Sequence, residues 1–379
     1  MDQPLTLQTG TGANATAGVL KGKKDREVWI DYAKSIGIVS VIVAHMALAN
    51  ALALNFIYTF IMPLFFLISG YLYKRKDTFG LAVGKDVKRL LLPYVYFYII
   101  SYAYWFVVIY SKHKNQFPGS FAQAGVIKPM LGMLIGVGYE TDFSISINHP
   151  LWFLMALFFV KVIYSALEGI AKDNKVTIGV GVLVLFVLVW LLRTNGYHIW
   201  FSIDSALVAL PFFYLGVVIK SAGIIKTWFK NNVLNLACFI VLTAATILVG
   251  KYNGSPDVNT ATWGNNVFLY FAGGLVGTFM IFTLCFLFEK WPNRLILFIS
   301  ANTLVLMCIQ SILKSISIAI LKAGHFALPA KLNFMQAAVL TTLIVVLSLP
   351  VMYLIDKYLP FLAGASKAKT KAEPVSVSK

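Results

Sequence analysis

Two ionisable side chains, Lys34 and His45, interrupt an apolar stretch at residues 30–49 that is long enough to cross a bilayer. A titratable group inside a membrane helix is costly, so it usually faces the protein interior and marks a functional site. On a helix, their spacing corresponds to about 16 Å along the axis and to within about 20° of one face. We therefore expect both side chains to point into one cavity, with Lys34 close to water and His45 deep.

General-base catalysis is the chemistry that suits a buried imidazole. A neutral imidazole titrates near pH 7 and takes the proton of a hydroxyl as that hydroxyl attacks an acyl carbon. His45 is therefore the candidate catalytic residue, and a covalent acyl-histidine route is left open. The alternative interpretation is a histidine hydrogen-bonded for packing. For Lys34 the alternative is a lysine whose amine extends to the interface.

Composition places the chain among polytopic membrane proteins, because 59% of its residues are hydrophobic and only 12% are charged. The net charge of +17 does not indicate nucleic acid, since the Lys and Arg residues lie in loops between apolar runs. The three cysteines fall inside apolar runs and indicate no disulfide framework. No spacing of His, Cys or acidic residues indicates a metal.

Apolar runs of membrane-spanning length predict an all-α bundle of about ten transmembrane helices. The runs are 30–50, 56–73, 90–110, 151–167, 176–193, 205–221, 233–250, 266–288, 295–321 and 335–356. An even number places both termini on one side. Of the 32 Lys and Arg residues, 22 fall in the loops on that side or at the adjoining ends of spans, 7 in the opposite loops or at the adjoining ends of spans, and 3 within spans. The positive-inside rule therefore predicts that both termini are cytoplasmic.

The chain ends and one long loop complete this organisation. Residues 1–25 and 359–379 are predicted to be disordered cytoplasmic tails around a membrane domain at 26–358. The loop at 111–150 contains a moderately apolar segment, 126–138, which predicts a re-entrant or interfacial helix that covers the cavity. No internal repeat is visible, which weighs against the inverted-repeat plan of many transporters.

Residues 26–75, and above all Asp31, the Lys34-x10-His45 spacing and the run FIMPLFFLISGYLYK, resemble the acyltransferase-3 family of integral membrane O-acyltransferases. That family moves acetyl or other short acyl groups from coenzyme A to hydroxyls of sugars and other cell-surface acceptors. The resemblance implies that His45 is the catalytic base. It also implies that Lys34 binds a phosphate of the donor. The extended pantetheine arm of coenzyme A is comparable in length to the separation of Lys34 from His45.

A second basic element is GKDVKRLLLPYVYFY, which contains Lys85, Lys88 and Arg89. It resembles the family's cytoplasmic paired-arginine signature for donor binding, although it departs from a strict Arg-x-x-Arg. Positive-inside anchoring of the next span is the alternative. The resemblance implies that these three residues bind the coenzyme A donor, and it leaves open which of them matters.

Three further residues are candidates for binding the acceptor. His149 opens HPLWFL and Asp204 is the second residue of IDSALVALPFFYLG, and both segments resemble family motifs at the outward edge. The alternatives are a solvated loop histidine for His149 and a helix cap for Asp204. Gln310 stands where family members commonly have a histidine, and it cannot act as a base. With Asn302 and Lys314 it puts polar groups into one span, which predicts that this span faces the cavity.

Together these features predict a multi-pass protein of the cytoplasmic membrane that transfers an acyl group, acetyl by preference. The expected donor is cytoplasmic acetyl-CoA, and the expected acceptor is a hydroxyl of a surface glycan, an exopolysaccharide or its lipid-linked precursor. Its expected partners are membrane lipid and the glycan, and nucleic acid is not expected to bind. Whether it forms a homo-oligomer or associates with a polysaccharide-assembly protein is left open. One alternative is a transporter or exporter of a glycan-lipid intermediate. Another is a membrane subunit without catalytic activity.

Overall fold

The computed structural model describes residues 27–74, 78–111, 126–141, 144, 146–229, 231–326 and 328–364. The predicted tail 1–25 and most of the predicted tail 359–379 lie outside these ranges. Within them the chain is helical, and the only extended pairing is an isolated bridge between Leu48 and Leu332. The predicted all-α fold class is therefore confirmed.

The helices follow the predicted apolar runs. In the first half they are α1 (Val28–Ala44), α2 (Ala51–Tyr71), α3 (Phe79–Tyr110), α4 (Ile127–Ile135), α5 (His149–Ile170) and α6 (Lys175–Thr194). In the second half they are α7 (Ile203–Ala222), α8 (Ile224–Trp228), α9 (Asn232–Asn253), α10 (Val267–Leu287), α11 (Arg294–Ala301), α12 (Thr303–Ala323) and α13 (Phe334–Tyr358). A 3-10 turn, Pro360–Ala363, follows α13 at the start of the predicted C-terminal tail.

Nine helices of the described chain are long and apolar enough to cross a membrane, namely α2, α3, α5, α6, α7, α9, α10, α12 and α13. The first predicted span is α1, which has 17 residues and is shorter than these. Helix α7 has 61% of its most apolar window buried, whereas α9 has 17%. Helix α7 therefore belongs to the interior of the bundle, and α9 presents most of its apolar surface to lipid.

Helices α1 and α2 form the centre of the bundle. Helix α1 contacts α2, α10, α11, α12 and α13, and α2 also contacts α7, α9 and α10. Much of the buried surface is aromatic, and Trp29 on α1 packs edge-on against Tyr71 and Phe282. The element predicted to carry the chemistry is thus held by five neighbouring helices.

Glycines let α2 and α7 approach until their backbones touch. A Cβ added to Gly70 would lie 1.9 Å from the Phe213 carbonyl oxygen, and one added to Gly216 would lie 2.1 Å from the Leu67 carbonyl oxygen. Small residues allow this close packing in membrane helices, where no hydrophobic force drives helices together. The expectation that Gly70 permits a close helix contact is confirmed.

Helix α1 ends earlier than the apolar pattern predicted, at Ala44 instead of Ala49. Beyond it Ala47 has a left-handed backbone with a φ of 51°. The Ala49 amide donates to the Leu332 carbonyl at 2.8 Å, and the Leu332 amide donates to Ala47 at 3.0 Å. These bonds to the segment before α13 replace the helical ones, so tertiary pairing overrides the apolar pattern.

The predicted span 295–321 is broken at Asn302, where α11 ends and α12 begins. The Asn302 side-chain amide donates to the Asp356 carboxylate at 2.8 Å. The Ser300 carbonyl at this break accepts a hydrogen bond from Lys34 Nζ at 2.6 Å. The break therefore supplies a backbone acceptor to one of the candidate site residues.

The apolar segment predicted at 126–138 contains the short helix α4, which runs antiparallel to α3. Three tyrosines of α3, spaced four residues apart, bind its carbonyls: Tyr94 to Met133 at 2.8 Å, Tyr98 to Pro129 at 2.7 Å and Tyr102 to Val126 at 3.2 Å. A chain segment beside a membrane helix needs such partners, because lipid offers no hydrogen bonds. None of the residues in α4 is among the described residues that line the cavity around His45, so its expected role as a cover is wrong.

Candidate active site

Three cavities lie one after another along α5 and α12, which contribute lining residues to all three. We call them the vestibule (about 700 Å³, around Lys85, Arg89 and Lys161), the slot (about 200 Å³, around Lys34, Val41 and Met307) and the histidine cavity (about 330 Å³, around His45, His149 and Lys314). The vestibule and the slot share six lining residues and are continuous: Ser69, Leu72, Leu90, Leu157, Ala301 and Leu304.

The vestibule is strongly basic. Four cations line it, Lys74, Lys85, Arg89 and Lys161, against one carboxylate, Asp86. Lys161 and Asp86 form an ion pair in which both side chains are largely buried. Positive charge in excess at one cavity favours a ligand with several negative charges, such as a nucleotide phosphate.

A wider, π-helical turn of α3, Val87–Leu91, presents part of this charge. Lys85 and Arg89 both line the vestibule, whereas Lys88, which is also exposed, does not. The turn after α13 contacts the same place, since a Cβ on Gly364 would lie 2.7 Å from the Arg89 Cα atom. Turns of this kind often occur at functional sites because they re-aim the following side chains.

The slot is narrow and mostly apolar, with walls that include Ile38, Phe65 and Leu154. Lys34 is the only ionisable residue among its described lining residues. Near Lys34, the Ser300 hydroxyl donates to the buried Asp31 carboxylate at 2.6 Å. A charged mouth followed by an apolar passage suits a ligand with an anionic head and a long, weakly polar arm.

The histidine cavity brings together three of the predicted site residues, His45, His149 and Gln310. Gln310 and Lys314 project into it from α12, so the prediction that this span faces a cavity is confirmed. Gln310 is buried, and its amide nitrogen donates to the Met307 carbonyl at 3.2 Å. The lining of this cavity is more polar than that of the slot, which suits a hydroxyl-bearing ligand.

Hydrogen bonds orient both imidazoles in this cavity. His45 Nδ1 lies 2.7 Å from the Val41 carbonyl oxygen, and His149 Nδ1 lies 2.5 Å from the Gly138 carbonyl oxygen. A carbonyl only accepts, so Nδ1 carries the proton in each ring, and Nε2 of a neutral ring is left as the acceptor. Each histidine therefore has the tautomer that a general base with a reactive Nε2 requires.

Lys34 on α1 and His45, the residue just beyond the end of α1, line different cavities. The slot ends at Val41 and Met307, and the histidine cavity begins one helical turn later at His45 and Gln310. No described residue lines both. The single-cavity expectation is wrong because about 16 Å of helix exceeds one small cavity.

Two other predicted site residues lie outside these cavities. Lys88 does not line the vestibule, and Asp204 does not line the histidine cavity. Asp204 is fully buried in the first turn of α7, where Oδ1 accepts from the Ser205 amide at 2.8 Å. It neighbours Arg193 and His198, and burial together with Arg193 lowers the pKa of His198.

Lys161 and Trp105 are site residues that the sequence analysis missed. Lys161 was assigned only to the interior of a span, although Phe153, Leu157 and Lys161 at i, i+4 and i+8 share one helical face and all line the pathway. That spacing was the available signal. Trp105, in a second π-helical segment of α3, lines the histidine cavity, and nothing in its sequence context distinguishes it from other aromatic residues.

Taken together, the helical bundle and its three cavities define a multi-pass membrane protein with a basic entrance, an apolar passage and a chamber that holds two oriented imidazoles. Comparison with known families identifies the class: the profile described as "Acyltransferase domain", of the acyltransferase-3 family, matches residues 27–356. The chain belongs to this family of membrane acyltransferases.

One curated relative is the nodulation protein NolL of Mesorhizobium japonicum. It is 24% identical to this chain over 293 residues, which cover 70% of this chain and 69% of NolL. No solved structure matches. The family match at residues 27–356 extends over most of the helical bundle, so the family assignment rests on more than the region around His45.

Proposed function

We propose that the chain transfers an acyl group, by preference acetyl, from coenzyme A to a hydroxyl of a surface glycan or of its lipid-linked precursor. One observation carries this proposal: a chamber with an oriented imidazole, His45, adjoins an apolar slot whose other end opens into a basic vestibule. The sequence of charges and polarities along this pathway parallels the parts of an acyl-CoA, which are phosphates, pantetheine arm and thioester.

The vestibule residues support donor binding. Lys74, Lys85, Arg89 and Lys161 provide the charge for the nucleotide phosphates, and Lys34 provides one cation deeper in the pathway. The pantetheine arm then occupies the slot, and the thioester passes Val41 and Met307 to reach His45. The rise of about 16 Å from Lys34 to His45 fits this extended arm.

In the reaction itself, the acceptor hydroxyl in the histidine cavity attacks the thioester carbonyl carbon. His45 Nε2 takes the hydroxyl proton as the carbon–oxygen bond forms. The carbon–sulfur bond then breaks, and the imidazolium returns the proton to the departing thiolate. Val41 holds the His45 ring throughout, because its carbonyl keeps the Nδ1 proton in place.

The proposal includes an orientation. The vestibule lies at the end of the bundle where the Lys and Arg residues concentrate, which the positive-inside rule assigns to the cytoplasm. Acyl-CoA then enters from the cytoplasm of a cell whose inner membrane holds the protein, and the acceptor enters the histidine cavity from the opposite face.

The test measures release of coenzyme A by the purified full chain, supplied with acetyl-CoA and a panel of oligosaccharide and lipid-linked saccharide acceptors. We expect acceptor-dependent release by the wild type and a loss of at least about 100-fold in His45→Gln. His325→Gln is the matched control, because His325 is exposed and lies outside the three cavities.

Equal inactivity of the wild type and His45→Gln across the panel contradicts the transferase function. Acceptor-independent counterflow of a glycan-lipid in proteoliposomes, without coenzyme A release, identifies a transporter instead. Full activity of His45→Gln removes His45 from the reaction while leaving the acyl transfer itself in place.

A further inference from the structure

The histidine cavity contains two hydrogen-bond donors that the mechanism above does not use, Lys314 and Trp105. Lys314 Nζ donates to the backbone carbonyl oxygen of His45 at 2.5 Å, so its charge lies beside the catalytic residue. An ammonium has three N–H groups, and this contact uses one. The Trp105 indole is 3% exposed, and its N–H has no partner among the described residues.

The charge of Lys314 is not neutralised within the described part of the chain. No Asp or Glu is among the described residues that line the cavity, and Lys314 is in none of the ion pairs between described residues. A lone cation inside a membrane bundle is costly and is retained where negative charge arrives. Here that charge is either a fixed group on the acceptor or one that appears during the reaction.

The position of Lys314 favours charge that appears during the reaction. Its amine contacts the backbone of the residue whose ring takes the proton, and both residues line the cavity in which the new bond forms. A thioester carbonyl becomes an oxyanion when a hydroxyl adds to it, and donors already aimed at that oxygen are usually the largest source of rate acceleration. Trp105 lines the same cavity, and its buried, unpartnered indole N–H is a second donor beside it.

We propose, resting on the function above, that Lys314 and Trp105 stabilise the oxyanion of the tetrahedral intermediate. As the acceptor oxygen bonds to the carbonyl carbon, the π electrons of the carbonyl move to its oxygen, and the hydroxyl proton moves to His45 Nε2. The oxyanion accepts hydrogen bonds from Lys314 Nζ and Trp105 Nε1. When the carbonyl reforms, the carbon–sulfur bond breaks and the proton from His45 reaches the thiolate.

The experiment separates kcat from KM in the full chain, using acetyl-CoA and the best wild-type acceptor. We expect Lys314→Met to lower kcat by about 100- to 1,000-fold, with both KM values within about threefold of wild type. Trp105→Phe keeps most of the ring and loses one neutral donor, so we expect kcat to fall about fivefold. Lys322→Met is the matched control, since Lys322 is an exposed lysine further along α12.

Each outcome decides the assignment. An unchanged kcat in Lys314→Met overturns it, and so does a raised KM for the acceptor with unchanged kcat, which assigns Lys314 to a fixed negative charge on the acceptor. If Lys314→Met does not fold, Lys314→Arg and Trp105→Phe replace it: the proposal requires near-wild-type kcat in the first and a lowered kcat in the second. Failure of the underlying function is distinct, because then the wild type itself shows no transfer that depends on His45.

Discussion

Lys88 and Arg89 are consecutive, exposed cations on one π-helical turn of α3, and only Arg89 lines the vestibule. Replacing each with Gln removes one positive charge from almost the same place on the surface. The pair therefore separates a direct contact with the donor from the general positive potential at this end of the bundle. We predict that Arg89→Gln weakens coenzyme A binding and that Lys88→Gln does not.

The magnitude follows from charge separation and screening. Two unit charges about 4 Å apart interact by about 1 kcal/mol in water and about 4 kcal/mol at an effective dielectric constant of about 20. Arg89 is exposed, so the lower value applies. About 1 kcal/mol corresponds to about a fivefold higher Kd for Arg89→Gln. Lys88 acts over a longer distance through screening solvent, so its replacement changes Kd by less than about twofold.

Calorimetric titration of the purified chain with free coenzyme A measures both variants. The screening length falls from about 10 Å at 0.1 M salt to about 3 Å at 1 M, so the difference between Arg89→Gln and wild type must shrink at high salt. Dephospho-coenzyme A, which lacks the 3′-phosphate, tests whether Arg89 contacts that group. Equal losses in both variants, or a loss for Arg89→Gln that is independent of salt, refute the reasoning.

Two further predictions concern stability, measured by thermal unfolding in detergent. Lys161→Met leaves the largely buried Asp86 carboxylate without its partner, so we expect the free energy of unfolding to fall by about 1–3 kcal/mol. This is less than for a fully buried ion pair, because the Lys161 side chain is 22% exposed. Adding Asp86→Asn recovers most of that loss, and a double variant no more stable than Lys161→Met rules out the ion pair as the cause. Gly70→Ala places a methyl group 1.9 Å from the Phe213 carbonyl oxygen and should cost about 3 kcal/mol or more. Gly80→Ala, whose Cβ meets nothing within 4 Å, should unfold like wild type.

The helices and the candidate base were predictable because membrane insertion imposes a strong pattern. A run of apolar residues must form a helix in lipid, and an ionisable residue within it must face the interior. His45, Lys34 and Gln310 were found in this way, and the structure places Lys34 in the slot and His45 and Gln310 in the histidine cavity. Family resemblance added Lys85 and Arg89, which line the vestibule.

The errors arose where tertiary contacts outweigh local pattern. The early end of α1 depends on backbone bonds to Leu332, and the break at Asn302 depends on Asp356, and neither partner is near in sequence. A run of cations such as Lys85, Lys88 and Arg89 does not show which side chain enters a cavity, since a π-helical turn changes their directions. Asp204 could not be separated from a buried helix-start residue by its motif alone.

The contact of α2 and α7 at Gly70 and Gly216 has a mechanical consequence. Backbones that touch at two points cannot slide or separate without losing that fit, so the two helices behave as one rigid block. Helix α2 forms one wall of the slot through Met62, Phe65 and Ile68. Any widening of the slot therefore either moves α2 and α7 together or displaces its other walls, which lie on α1, α5 and α12.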